Sequence, residues 1–177
     1  MKIKIMFVLA TALLVQAVSL AAQDVTATNK STTKRVAFAQ SCFWTGEVKL
    51  GQIEGVVRTE AGYFKGREVT LLEYAPERIA LEDLIRQARK AGVADTVYLA
   101  AGSESAGAGV SNGQALDQTY RAAPASDQKK QIEGTQFSRL RLSPEQATKV
   151  NAFAREDPSK ALEWLTPQQR EQLKGGR

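Results

Sequence analysis

The sequence holds one cysteine and no histidine, and both counts narrow the chemistry it can do. Without histidine there is no Ser-His or Cys-His nucleophile pair, and the usual zinc and haem ligand sets are missing. A single cysteine allows no intramolecular disulfide and no CxxC dithiol. That cysteine, Cys42, lies in the run Ser41-Cys42-Phe43-Trp44-Thr45-Gly46-Glu47. Apolar alternation stops at Ala39 and helical spacing starts at Phe43, so Cys42 falls where a strand gives way to a helix. Unpaired backbone N–H groups and the positive end of the helix dipole at such a junction favour the thiolate, which is the nucleophilic form. Phe43 and Trp44 supply an apolar wall for a small apolar group. By spacing alone, a cysteine buried inertly in a strand-helix corner fits equally well.

The elements that must position Cys42 can be read from periodicity. Val36 and Phe38 alternate with Ala37 and Ala39, as in a short buried strand. Phe43, Leu50 and Ile53 recur at roughly helical spacing, with Ser41 as the expected cap and Gly55 as the break. Val56 to Thr59 and Val69 to Tyr74 read as strands joined through Gly62 and Gly66. Leu81, Leu84, Ile85 and Ala88 form a helical stripe closed by Gly92, and Val97 to Ala100 is a further strand. The order is strand, helix, strand, strand, helix, strand. It predicts an α+β fold with a ferredoxin-like split βαβ sheet, both helices on one face, and added C-terminal helices. That fold by itself fixes no function.

The rest of the chain divides by composition. Lys2 and Lys4 precede an almost wholly apolar run from Ile5 to Leu20 that ends in small residues, the layout of a secretory signal peptide over 1–22. Residues 23–34 are polar and read as a flexible linker, ahead of a core over 35–100. The region 101–126 reads as loop, being rich in Gly, Ser and Ala over 102–114 and lacking a GxGxxG or Walker pattern. Residues 127–177 carry three helix starts: Ser143-Pro144, Asp157-Pro158 and Thr166-Pro167. The first and third have Gln at the third helical position, as in a capping box. The 24 basic and 19 acidic residues are interspersed, which describes a solvated surface rather than a nucleic-acid site. No later segment is long and apolar enough to span a membrane, so none is expected to engage one once the signal peptide is cleaved.

Cys-Phe-Trp followed by Glu47 resembles the GCFWxxE signature of peptide methionine sulfoxide reductases of the A type. Gly51-Gln-Ile-Glu-Gly-Val-Val-Arg-Thr59, closed by Ala61-Gly62-Tyr63, looks like that family's (L/I)xGVxxTxxGY run. Lys65-Gly-Arg-Glu68-Val-Thr-Leu-Leu-Glu-Tyr74-Ala-Pro76 can be laid on its GHAEAVxVxYDP segment. Glu68 then falls on the family's catalytic glutamate, and Gly66 replaces a histidine. Thr119-Tyr120-Arg121 stands for a later Gln-Tyr-Arg, although Asp117 precedes the tyrosine by three residues where the family has five. The likeness covers roughly Val36 to Arg86, and the C-terminal helices do not share it.

The chain departs from the pattern in three places. Ser41 stands where the family has glycine, a deletion between Tyr63 and Glu68 removes a loop carrying a substrate-binding tyrosine, and there is no resolving cysteine.

The resemblance implies an enzyme acting on oxidised methionine in peptides or proteins, and the signal-peptide layout a secreted or periplasmic location. Cys42 would attack the sulfoxide sulfur and Glu68 would protonate the departing oxygen. Phe43 and Trp44 would pack on the methyl group, and Tyr120, or failing that Tyr63, would donate to the sulfoxide oxygen. Glu47 would be structural, bonded to backbone or to a cation. An external thiol, thioredoxin-like or small, would restore Cys42 from its sulfenic acid, with no cofactor or metal. Two other readings use the same fold: a non-catalytic binding module, and a one-cysteine redox partner of another exported thiol protein.

Overall fold

The computed structural model describes residues 32–100 and 113–175. The expected signal peptide and residues 102–112 of the Gly/Ser/Ala-rich loop lie outside the described residues, as does most of the linker. The described residues belong to one compact unit, so the core and the C-terminal helices are not separate bodies.

The protein is a mixed α+β fold built on a six-stranded sheet. The elements are β1 (Lys34–Ala39), α1 (Phe43–Gly51), β2 (Val56–Phe64), β3 (Arg67–Tyr74), α2 (Leu81–Lys90), β4 (Thr96–Leu99), β5 (Gln114–Ala115) and β6 (Arg121–Ala122). After two 3-10 turns come α3 (Pro144–Phe153), α4 (Pro158–Glu163) and α5 (Pro167–Lys174). The sheet order is β5-β4-β1-β3-β2-β6. Every pairing is antiparallel except β4 with β5, which makes the sheet mixed.

Alternation assigns the two faces. Val36, Phe38, Leu72, Val97 and Leu99 point to one side and bury Leu50 of α1 with Leu84, Ile85 and Ala88 of α2. Ala37, Ala39, Val69, Leu71 and Tyr98 point to the other side, where Leu116 and Tyr120 pack over them. Part of the region expected to be loop therefore covers a sheet face and contributes β5 and β6.

β2 runs on through Phe64, beyond the expected end at Thr59. The hairpin to β3 turns on Lys65 and Gly66 alone, both with positive φ (49° and 72°), which is what a two-residue turn needs to match strand twist. Gly62 is thus a mid-strand residue, not a turn. Its missing side chain makes room for the Tyr120 ring, whose atoms would lie 2.6 Å from an added Cβ.

The three C-terminal helix starts form as the sequence predicts. Ser143 and Thr166 each complete a capping box, with Gln146 and Gln169, and Asp157 caps α4. The two capping glutamines also bond each other, Gln146 Nε2 donating to Gln169 Oε1 at 2.9 Å. A second core around Phe137, Val150, Phe153, Ala161 and Leu165 holds this region together. It lies against α1, where Gly51 lets the helices approach: an added Cβ would meet Ala152 Cβ at 3.0 Å. Lys149 crosses the contact, donating to the carbonyls of Gly51 (2.8 Å) and Ile53 (3.0 Å) at the end of α1. Burial, and then the Arg78 charge, pull this lysine down to about 8.

Candidate functional site

Cys42 is the N-cap residue of α1, extended at φ −148° and ψ 117°, and its carbonyl accepts the Gly46 N–H at 3.0 Å. Its thiol is partly exposed and forms no cap hydrogen bond. Ser41, the expected cap, is one residue too early and exposed. The open N–H of the first helical residue goes instead to a side chain from β3: Phe43 N–H donates to Glu68 Oε2 at 2.8 Å. A carboxylate thus caps the helix immediately beside the cysteine, where the helix dipole favours negative charge.

The first turn of α1 is pressed onto the sheet. Thr70 Oγ1 approaches the Phe43 carbonyl at 3.4 Å and bonds the Gln40 amide at 2.7 Å, tying the end of β1, the middle of β3 and α1 together. Gly46 allows this approach, since a Cβ there would collide with Thr70 Oγ1 and the Gln40 amide. The glycine in the Cys-to-Glu motif is therefore a packing requirement.

Three aromatic rings surround the cysteine's turn. Phe43 is buried and meets Trp44 and Tyr63 edge to face, with centroids 5.8 and 5.5 Å apart. Trp44 is 37% exposed, and its indole N–H donates to the Asp127 carbonyl at 3.0 Å. Tyr63 is the cross-strand partner of Glu68. The short hairpin brings these two face to face, and the Tyr63 hydroxyl has no hydrogen-bond partner among the described residues.

Of the residues the sequence singled out, Cys42, Phe43, Trp44, Tyr63 and Glu68 come together. Tyr120 does not join them. It packs on the opposite sheet face over Gly62 and donates to Glu60 Oε1 at 2.8 Å. Burial, and next that hydrogen bond, push its hydroxyl well above the usual tyrosine value. Strand alternation is the physical reason: Glu60, Gly62 and Phe64 face away from Cys42, while Ala61 and Tyr63 face it.

Glu47 takes a structural place, as expected. It is fully buried and paired with the Lys129 ammonium, and it accepts the Lys129 backbone N–H at 2.8 Å and the Thr59 hydroxyl at 3.3 Å. Lys129 also donates to the Thr59 carbonyl at 2.6 Å and holds a left-handed φ of 52°. Gln128 beside it bonds both the N–H and the carbonyl of Ala61, at 3.0 and 2.8 Å. These contacts fix the segment that receives the Trp44 indole. Sequence reasoning missed Asp127, Gln128 and Lys129, because their partners, the Trp44 indole, the Ala61 backbone, and Glu47 with the Thr59 carbonyl, lie more than sixty positions away. The one available signal was the buried Glu47, which demands a cation.

Among the described residues no cluster of Cys, Asp and Glu could hold a metal, and no helix is long and apolar enough to cross a membrane. A groove of about 810 Å³ opens between Arg139, Leu162, Pro167 and Leu173, sharing no residue with the Cys42 site. The chain matches no model of a known protein family, and comparison with curated proteins finds no match.

Proposed function

We propose that the chain is an exported peptide-methionine (S)-S-oxide reductase, divergent and working with one cysteine. The observation that carries this reading is the 2.8 Å bond from the Phe43 N–H to Glu68, which sets a carboxyl group beside Cys42. The strand order β4-β1-β3-β2, antiparallel throughout, supports reading the core as a ferredoxin-like split βαβ sheet.

In the proposed reaction Glu68 takes up the Cys42 thiol proton, the thiolate attacks the sulfoxide sulfur, and Glu68 passes the proton to the oxygen, leaving a hydroxyl on the sulfur now bonded to Cys42. The hydroxyl then moves to the Cys42 sulfur as the bond between the two sulfurs breaks and its electrons stay with methionine. The methyl group on sulfur sits among Phe43, Trp44 and Tyr63. Tyr63, whose hydroxyl is uncommitted, donates to the oxygen in place of Tyr120. Methionine leaves reduced and Cys42 is left as a sulfenic acid. A first external thiol condenses with it, releasing water and forming a mixed disulfide. A second thiol displaces Cys42 as thiolate and leaves with the first as a disulfide. The external donor, thioredoxin-like or small, belongs to a secreted or periplasmic setting.

Incubating protein lacking residues 1–22 with the separate epimers of methionine sulfoxide and dithiothreitol tests this directly. The S epimer should be reduced, and Cys42→Ser should abolish the reaction. Equal turnover by the variant would assign the activity to a contaminant, and no turnover would favour a binding module. That second reading draws on the exposure of Trp44, the one large apolar side chain open to solvent among the described residues.

A further inference from the structure

Three neighbouring strands set Glu68, Tyr63 and Arg121 in one row. Tyr63 of β2 faces Glu68 of β3 on one side and Arg121 of β6 on the other. Directly paired residues share a sheet face, so all three start from the face that carries Phe43. Two inter-strand spacings separate the backbones of Glu68 and Arg121 by about 10 Å. The backbone around Arg121 is pinned. The Tyr120 hydroxyl holds Glu60, the Ala123 N–H donates to the Ala61 carbonyl at 2.8 Å, and Gln128 holds the Ala123 carbonyl at 3.1 Å.

Arg121 is exposed, and its side chain makes no hydrogen bond or ion pair with any described residue. Lys130, which lies over the Trp44 ring, is engaged by Glu133 at 2.6 Å. The row thus offers an acid, an uncommitted phenol and an uncommitted guanidinium, in that order.

We propose that Arg121 is a carboxylate-binding residue of the Cys42 site, so that the preferred substrates are methionine sulfoxides with a carboxylate close to the sulfoxide. This rests on the reductase reading and sharpens it. With the sulfoxide at Cys42 and Glu68 and its methyl among the rings, the remainder of the substrate runs over Tyr63 toward β6. The carboxylate is either the α-carboxylate of a free or C-terminal methionine sulfoxide, or a neighbouring Asp or Glu side chain in a peptide. A planar guanidinium recognises either by paired N–H donors.

The test compares four substrates: N-acetyl-methionine sulfoxide, its uncharged carboxamide, and capped tripeptides placing Asp or Lys after the sulfoxide. Wild type should prefer the carboxylate-bearing compounds over the carboxamide roughly two- to fivefold in kcat/KM, the scale of one exposed charge pair, and salt should reduce the ratio. The gain should appear in KM. Arg121→Gln should bring the ratio to about one, and Arg121→Lys should restore part of it. The two acidic compounds tell the α-carboxylate from the side chain.

Binding of the same compounds to Cys42→Ser, with and without Arg121→Gln, reads the subsite without turnover. Arg121-dependent preference in binding with no turnover in any protein would keep the subsite and sink the reductase reading. Turnover without a charge preference, or a preference that survives Arg121→Gln, would overturn the subsite alone.

Discussion

In the proposed reductase reaction two glutamates compete for the role of acid, and they differ in what each touches. Glu47 is fully buried against the Lys129 ammonium, the Lys129 N–H and the Thr59 hydroxyl. Glu68 is partly exposed and bonded to the Phe43 N–H beside Cys42. The two substitutions Glu47→Gln and Glu68→Gln should therefore fail in different ways. In Glu47→Gln the amide keeps the shape but leaves the Lys129 ammonium, 16% exposed at its side chain, without a counter-charge. Removing one partner of a buried pair costs about 3–5 kcal/mol. The low end applies, since Lys129 keeps the Thr59 carbonyl and some water. A loss of about 3 kcal/mol in a unit of this size lowers the melting temperature by roughly 10 °C. Glu68→Gln keeps an acceptor for Phe43 and loses only a charge at a helix start, a change of about 0.3–1 kcal/mol. Its rate of sulfenic acid formation at Cys42, by contrast, should fall roughly 10²–10⁴-fold. Urea unfolding and single-turnover kinetics on the folded fraction measure the two quantities. If Glu47→Gln is the slow enzyme and Glu68→Gln turns over normally, the acid is Glu47 and Glu68 serves only as the cap of α1.

Three further outcomes are expected. Tyr63→Phe should slow turnover, whereas Tyr120→Phe should leave turnover intact and cost about 1 kcal/mol of stability, by losing its bond to Glu60; the reverse pattern in kcat and urea midpoint would return the oxygen donor to Tyr120. Gly46→Ala should destabilise by about 1–3 kcal/mol in urea unfolding, because the methyl must displace Thr70 or Gln40; a neutral or stabilising result would contradict the close approach of α1 to the sheet. Lys149 sits at about 8 in the fold against an ordinary 10.5, so between these values the unfolded chain binds more protons and stability rises with pH. From pH 8 to 9.5 the rise should reach up to about 2 kcal/mol and vanish in Lys149→Met, before the raised hydroxyls of Tyr74 and Tyr120 oppose it above pH 10.

What the sequence disclosed follows from which interactions are local. β1, β3 and β4 are short apolar runs buried on both faces and α2 is buried along one stripe, so an apolar run or a period of 3.6 was enough to find them. The capping boxes at Ser143 and Thr166 are contained within four residues and could be read directly. β2 was cut short because Gly62 was taken for punctuation, when its purpose is to admit the ring of the distant Tyr120. β5 and β6 are two residues each and exposed, so they carry no apolar period at all. At the site, the cysteine and its aromatic neighbours were legible as a run, and Glu68 through resemblance. The cap was misassigned to Ser41 because nothing local says that a carboxylate will arrive from β3 to take the Phe43 N–H.

α1 shows why the C-terminal helices matter to a site they do not enter. Most of its residues are buried, including Glu47 and two glycines, because the sheet covers one side and α3 the other. Such a helix has little amphipathic pattern and a charge in its interior, so it cannot stand on the sheet alone. The C-terminal region meets each of its needs in turn. Lys129 neutralises Glu47, Lys149 takes the last carbonyls, and Asp127 fixes the Trp44 indole. Gln52, just past the helix, donates to the Ala152 carbonyl at 3.0 Å and to Glu156 at 2.9 Å. These contacts run from the first turn of α1 to its end, and Cys42 is the residue on which that helix begins. The C-terminal segment is thus the part that holds this helix in place, and substitutions in it should reach Cys42 through α1.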